Sequence, residues 1–176
     1  LAEAIEELKE TEFKELYADD QKDKDFVKET TLDTDLEILI PDTYVNKVEE
    51  RLRLYQALDS LESPEQLNKF EQELTDRFGP APKEVFELLS SMRLRWLGKE
   101  IGFDKIVLKQ ERLIGDFLSD QNSPYFQSEK FTRVLQFLKD QPKAQMKERN
   151  NKLYLSFGGV QTVEQALRLL QPIVAN

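Results

Sequence analysis

The stretch Ile101–Leu118 reads Ile-Gly-Phe-Asp-Lys-Ile-Val-Leu-Lys-Gln-Glu-Arg-Leu-Ile-Gly-Asp-Phe-Leu. Before it, apolar residues recur every three or four positions, the spacing of a helix face. Within it the spacing falls towards two, the spacing of a strand face. Gly102 is placed to stop a helix. Phe103–Lys109 and Leu113–Leu118 read as two short strands, with a turn near Gln110-Glu111. This change of period makes the chain α+β: helices first, then a sheet.

Towards the C-terminus the pattern repeats. Ser123-Pro124 starts a helix with Phe131, Val134, Leu135 and Leu138 facing inward. Ala144–Arg149 and Leu153–Phe157 form a hairpin whose turn is Asn150-Asn151, because Asn tolerates positive φ. Gly158-Gly159 breaks the strand, and Thr162 with Gln165 offers a capping box. Val163, Ala166, Leu167, Leu170 and Val174 face inward on the last helix. The second half is therefore strand-strand-helix twice, a mostly antiparallel sheet with helices packed on it.

Towards the N-terminus, a helix over about Pro82–Glu100 carries two apolar stripes, Val85, Leu88, Leu89, Met92 and Trp96, then Phe86, Leu97 and Ile101. A helix apolar on two sides is central to a core. Ser63-Pro64-Glu65-Gln66 starts the helix before it; Leu67, Phe70, Leu74 and Phe78 are its core face. Gly79 is placed to end it in the left-handed conformation and Pro80 blocks continuation. A further helix, capped by Asp42 or Thr43, has Tyr44, Val48, Leu52, Tyr55 and Leu58 in one wide stripe with Arg51 beside them. Asp35–Ile40 alternates Leu36, Ile38 and Ile40 and reads as the single strand of this helical first half, ended by Pro41. Residues 11–34 are a mixed-charge acidic linker, and 1–10, with Leu1, Ile5 and Leu8, read as the end of an amphipathic helix. The domain is expected over 35–176. The start at Leu1, already in helical pattern, reads as a cut from something longer.

Composition narrows the chemistry. Net charge is −9, so phosphate backbones and anionic lipid are repelled. With no cysteine and no histidine, thiol or histidine catalysis and a standard zinc site are excluded. No apolar run nears the ~18 residues of a membrane span and no signal peptide is visible, so a cytoplasmic location without a membrane partner is expected. Gly158-Gly159 lacks the Lys and Ser/Thr of a nucleotide-binding loop. Carboxylate pairs (Asp19-Asp20, Asp33 with Asp35, Glu49-Glu50) are those that 34 acidic residues produce by chance. No catalytic, cofactor-binding or metal residue is assigned.

Two charged sets remain. Arg93, Arg95, Lys99 and Lys105 flank Trp96. They are either a nucleic-acid or RNA polymerase contact, or the solvated edges of a buried helix; the surrounding negative charge favours the second. In the run Glu73-Leu74-Thr75-Asp76-Arg77-Phe78-Gly79-Pro80-Ala81-Pro82, Leu74 and Phe78 belong to the core face, while Glu73, Asp76 and Arg77 are left polar and rigidly held. A local Glu73–Arg77 ion pair is the plain reading of their four-residue spacing. Arg51 and Tyr55 read as buried supports.

That run, together with Ile40-Pro41-Asp42, Tyr44-Val45, Arg51-Leu52, Leu54-Tyr55, Arg93 and Gly102-Phe103, resembles the C-terminal domain of the bacterial transcription-repair coupling factors (TRCF, Mfd). The motifs span residues 36–106; Phe103 stands where the family pattern has Ile. The resemblance implies a parent that is an ATP-dependent DNA translocase. It would use ATP and magnesium in its motor, bind DNA, displace stalled RNA polymerase and recruit the excision-repair protein UvrA. The C-terminal domain would carry no ATPase motif and no cofactor of its own. It would fold back on the N-terminal UvrA-binding module of the same protein and mask it. Glu73, Asp76 and Arg77 correspond by position to that inter-domain contact.

Overall fold

Two turns that demand positive φ organise the sheet. Gln110 and Glu111 (φ 52° and 60°) close one hairpin, Asn150 and Asn151 (53° and 61°) the other. The computed structural model describes residues 26–175. Its sheet has the order β1-β2-β3-β5-β4, from β1 (Thr31–Thr34), β2 (Phe103–Lys109), β3 (Arg112–Phe117), β4 (Gln145–Arg149) and β5 (Lys152–Gly158). All neighbours are antiparallel except the edge pair β1–β2, which is parallel. The α+β reading is the architecture found.

Among the described residues five α-helices accompany it: α1 (Val48–Asp59), α2 (Pro64–Phe78), α3 (Lys83–Ile101), α4 (Glu129–Asp140) and α5 (Val163–Leu170). Among the described residues no helix is long and apolar enough to cross a membrane. The expected caps are in place. Ser63 Oγ accepts from the Gln66 amide at 3.2 Å and Thr162 Oγ1 from that of Gln165 at 3.0 Å. In both cases the glutamine carboxamide returns to the amide just before the capping residue, from Glu62 at 2.8 Å and Gln161 at 2.7 Å. Each arrangement satisfies two amides, at the helix start and just before it. Ser123-Pro124 opens a 3-10 turn (Pro124–Gln127), and Ser128, not Ser123, caps α4.

The apolar residues divide into two cores joined by α3. Leu94, Leu97 and Ile101 of α3 pack with Ile106, Leu113, Phe117, Leu155 and the inward faces of α4 and α5. Val85, Leu89 and Met92, from the other half of α3, pack with Leu54 and Leu58 of α1 and Leu67 and Leu74 of α2. The two-stripe reading of α3 thus corresponds to one helix serving both cores. Buried Glu87 adds a polar tie between them, its Oε2 accepting from the Val163 amide at the start of α5 at 2.7 Å. A carboxylate there also meets the positive end of a helix.

Several expectations are corrected. The strand of the first half is not Asp35–Ile40 but Thr31–Thr34, inside the stretch read as linker. Thr30 and Thr34 hydroxyls donate to the Phe103 and Leu108 carbonyls, both at 2.7 Å, and pin this segment to β2. Val27 and Thr30 are buried, so the fold begins before residue 35. The alternation of Leu36, Ile38 and Ile40 is real but forms no ladder. Leu36 and Ile38 pack on the sheet core and Ile40 on the helical core, so the segment is an extended crossover. The helix expected from Asp42 or Thr43 begins only at Val48, with Lys47 as its cap. This start leaves Val48 and Leu52 on the exposed side, at 58% and 56%, while Leu54 and Leu58 turn inward. Leu135 is likewise exposed, and Phe137 takes the inward position. The expectations for residues 1–25, the helix end at 1–10 and the linker from 11, lie outside the described residues.

Candidate functional site

The run Glu73–Pro82 forms the last turns of α2 and the passage into α3. Its apolar members are core: Leu74 is buried, and half-buried Phe78 packs against the same cluster. Tyr44 clamps the turn from the side. Its hydroxyl donates to the Gly79 carbonyl at 2.6 Å, and its ring lies 5.8 Å from that of Phe78. Burial raises the Tyr44 pKa, which keeps the hydroxyl a donor. The Gly79 amide closes the helix on the Thr75 carbonyl at 2.8 Å. Gly79 has φ 89° and ψ −175°, so the chain leaves the helix in an extended conformation with positive φ, not in the left-handed helical one expected. That region belongs essentially to glycine.

The three polar members point outward, and Glu73, Asp76 and Arg77 are all exposed. The pair expected between Glu73 and Arg77 does not form. Arg77 Nη2 instead meets Glu50 Oε1 of α1 at 2.5 Å, and its guanidinium carbon lies 4.7 Å from the Phe78 ring centroid. Glu50 is half-buried and already positioned by α1, so pairing with it fixes fewer free rotors than pairing with exposed Glu73. Glu73 and Asp76 make no side-chain hydrogen bond or ion pair among the described residues. The result is two solvated carboxylates beside a tethered guanidinium, on a helix end held by Tyr44 and Gly79.

Arg51 and Tyr55 do act as supports, half-buried rather than buried. Arg51 Nη1 donates to the Val45 carbonyl at 2.7 Å and that of Asn46 at 3.0 Å. The Tyr55 hydroxyl accepts from the Ile40 amide at 2.7 Å. Together they fix the loop that carries Tyr44.

The basic set around Trp96 does not form one surface. Arg93 turns to α2, meeting Glu71 and Asn68 at 3.1 Å each. Arg95 turns to the chain before β1, meeting Glu29 at 2.9 Å and the Thr30 carbonyl at 3.3 Å. Lys105 is exposed on β2, opposite Asp116. The carboxylates are also engaged structurally. Asp33 pairs with Lys109 at 2.9 Å, a hydrogen bond that lowers its pKa, and Asp35 accepts from the Gln110 amide. Asp116, beside Asp104 and Lys152, has its pKa raised, first by burial. Two functional or bridging residues were not singled out from the sequence. In the sequence Glu50 stands only as half of the Glu49-Glu50 pair, and nothing local marks Glu87. The long-range partners of both are invisible to local spacing.

The arrangement can hold a charged contact in fixed geometry. The family model described as the TRCF domain matches residues 34–128, more than half of the chain. The chain belongs to the TRCF domain family. A transcription-repair-coupling factor of Bacillus subtilis is 32% identical over 113 residues, covering 64% of this chain and 8% of that protein. One of Escherichia coli is 30% identical over 79 residues, covering 45% and 7%. This TRCF chain therefore spans less than a tenth of the length of such relatives. A crystal structure of the C-terminal domain of a transcription-repair coupling factor shares its fold, with a TM-score of 0.67, 17% identity, and coverage of 83% of this chain and 92% of that one.

Proposed function

We propose that this TRCF domain is the non-catalytic regulatory C-terminal module of a transcription-repair coupling factor. The parent is an ATP-dependent DNA translocase that displaces stalled RNA polymerase and recruits excision repair. The domain folds back on the N-terminal UvrA-binding module of the same protein, and Glu73, Asp76 and Arg77 make the contact. What supports this reading is the outward charge of that helix end, on a turn held by the packing of Leu74 and Phe78 and by the Tyr44 hydroxyl on the Gly79 carbonyl.

Masking by a tethered domain needs only a weak contact, because tethering supplies an effective concentration of order mM. A charged contact suits a latch, giving orientation and specificity without a permanent apolar seam. Opening then requires a partner that binds the open state better. In the full-length parent, Glu73→Ala with Asp76→Ala and Arg77→Ala is expected to raise UvrA binding while the domain stays folded. Unchanged UvrA binding by a folded variant would place the masking contact elsewhere.

A further inference from the structure

The sheet ends at β4, whose outer side has no strand beside it among the described residues. β4 pairs with β5 alone, Met146 opposite Leu155, Lys147 opposite Tyr154 and Arg149 opposite Lys152. The two-residue turn Asn150-Asn151 makes Arg149 and Lys152 a pair that exchanges both backbone hydrogen bonds. Alternation then turns the amides and carbonyls of Met146 and Glu148 away from β5, towards the open side. Among the described residues no turn, loop or helix supplies a backbone hydrogen bond to residues 145–149.

The side chains along this edge have two characters. Met146 and Leu153 lie on the inner face, half-buried against the sheet core. Lys147 and Arg149 lie on the outer face, exposed, and make no ion pair among the described residues. The one carboxylate of the strand, Glu148, is on the inner face and accepts from Gln121 Nε2 at 3.4 Å. Residues 139–152 carry five cations and two carboxylates, in a chain of net charge −9. The edge is a local inversion of the molecule's charge.

We propose that β4 receives an extended acidic segment of a protein partner, added to the sheet as a sixth strand. Its backbone would bond to Met146 and Glu148. Its side chains would alternate, apolar ones beside Met146 and carboxylates beside Lys147 and Arg149. Strand addition draws affinity from the backbone and specificity from alternate side chains. Lysine on an edge strand is also a common guard against self-pairing. It acts so here: antiparallel pairing of two copies centred on Lys147 sets lysine opposite lysine, and parallel pairing in register repeats this at Arg149. An acidic strand meets opposite charge at the same positions. A phosphate backbone offers no donor to the Met146 and Glu148 carbonyls, and the net charge of the chain opposes it. The edge belongs to the sheet half, apart from Glu73, Asp76 and Arg77, so the proposal does not rest on masking.

The test follows amide exchange in the isotope-labelled 176-residue chain. The probe is a peptide of about seven residues alternating valine and glutamate, a usual strand length. Three controls accompany it: lysine in place of glutamate, the glutamate peptide N-methylated at two adjacent central amides, and an oligothymidylate. Methylation blocks donation along both edges of the peptide and keeps its charge. The glutamate peptide is expected to bind saturably and to slow exchange at Met146 and Glu148 tenfold or more, with little change at Lys147. Lys147→Glu with Arg149→Glu, checked for an unchanged circular dichroism spectrum, should weaken it tenfold or more and favour the lysine peptide. The Glu73, Asp76 and Arg77 triple-alanine variant should bind it as the parent chain does, so failure of the masking reading and failure of this one are distinguishable. No saturable binding, or equal binding of the lysine or methylated peptide, would overturn the proposal. So would protection that grows with protein concentration alone, which marks a second copy, or protection by oligothymidylate alone.

Discussion

The two halves of this domain are held together differently. The sheet half buries Phe103, Phe117, Tyr125 and fifteen further residues in one apolar cluster, and the helical half buries only nine. The smaller core is supplemented by side chains that bond to the backbone: Tyr44 to Gly79, Tyr55 to Ile40, Arg51 to Val45 and Asn46. These residues belong to the motifs by which the sequence resembles its family. The helical half thus combines a thin core, polar struts and an outward charged edge. The sheet half is the mass behind it.

Glycine substitutions separate the halves most sharply. Gly102 has φ 116°, and a Cβ there would lie 2.3 Å from the buried Tyr125 ring, whose hydroxyl is bonded to the Ile101 carbonyl. Neither the backbone nor the ring can yield, so Gly102→Ala is expected to cost more than about 3 kcal/mol in urea denaturation. Gly79 also has positive φ, but a Cβ there meets nothing within 4 Å. Gly79→Ala should cost only the backbone strain, about 1–3 kcal/mol. Equal losses at both positions would break the contrast.

Tyr44→Phe keeps the ring against Phe78 and removes the bond to the Gly79 carbonyl. A loss of about 1 kcal/mol is expected. Amide exchange should quicken around residues 74–79 and stay unchanged in β2 and β3. A uniform increase would mean that the halves unfold as one unit and that the strut is not local.

The smallest effect concerns the sheet. Because the Asp116 pKa is raised in the fold, the folded state disfavours its ionised form. That group's contribution is fully present below the ordinary carboxylate range and is lost as pH rises through the raised value. Asp116→Asn removes this loss. Thermal melts should show a slight stabilisation near pH ~7 that vanishes near pH ~3, below the ordinary carboxylate range. A gain that grows on acidification would contradict the direction.

Much of this fold was legible because its signals are local. Asn150-Asn151, Gln110-Glu111, Ser63 with Gln66, and Thr162 with Gln165 each act within a few residues, and each lies where spacing put it. The strand Thr31–Thr34 was not legible. It is a four-residue edge strand with one inward apolar residue, Leu32, and its existence depends on hydrogen bonds to β2, some 74 residues away. Asp35–Ile40 misled for the complementary reason: alternation reports an extended chain with two sides, and that chain here crosses between two cores instead of pairing. At the candidate site, helical spacing placed Glu73, Asp76 and Arg77 on the surface correctly. It could not reveal Glu50, because the salt bridge joins two helices through residues 27 apart in sequence.

The most direct test of the contact is a calorimetric titration of this domain with the separately expressed N-terminal UvrA-binding module. Measurable binding is expected, weakened tenfold or more by the Glu73, Asp76 and Arg77 triple-alanine variant with no change in Tm. Binding of equal strength by the two proteins, or none by either, would contradict the assignment of those three residues to the contact.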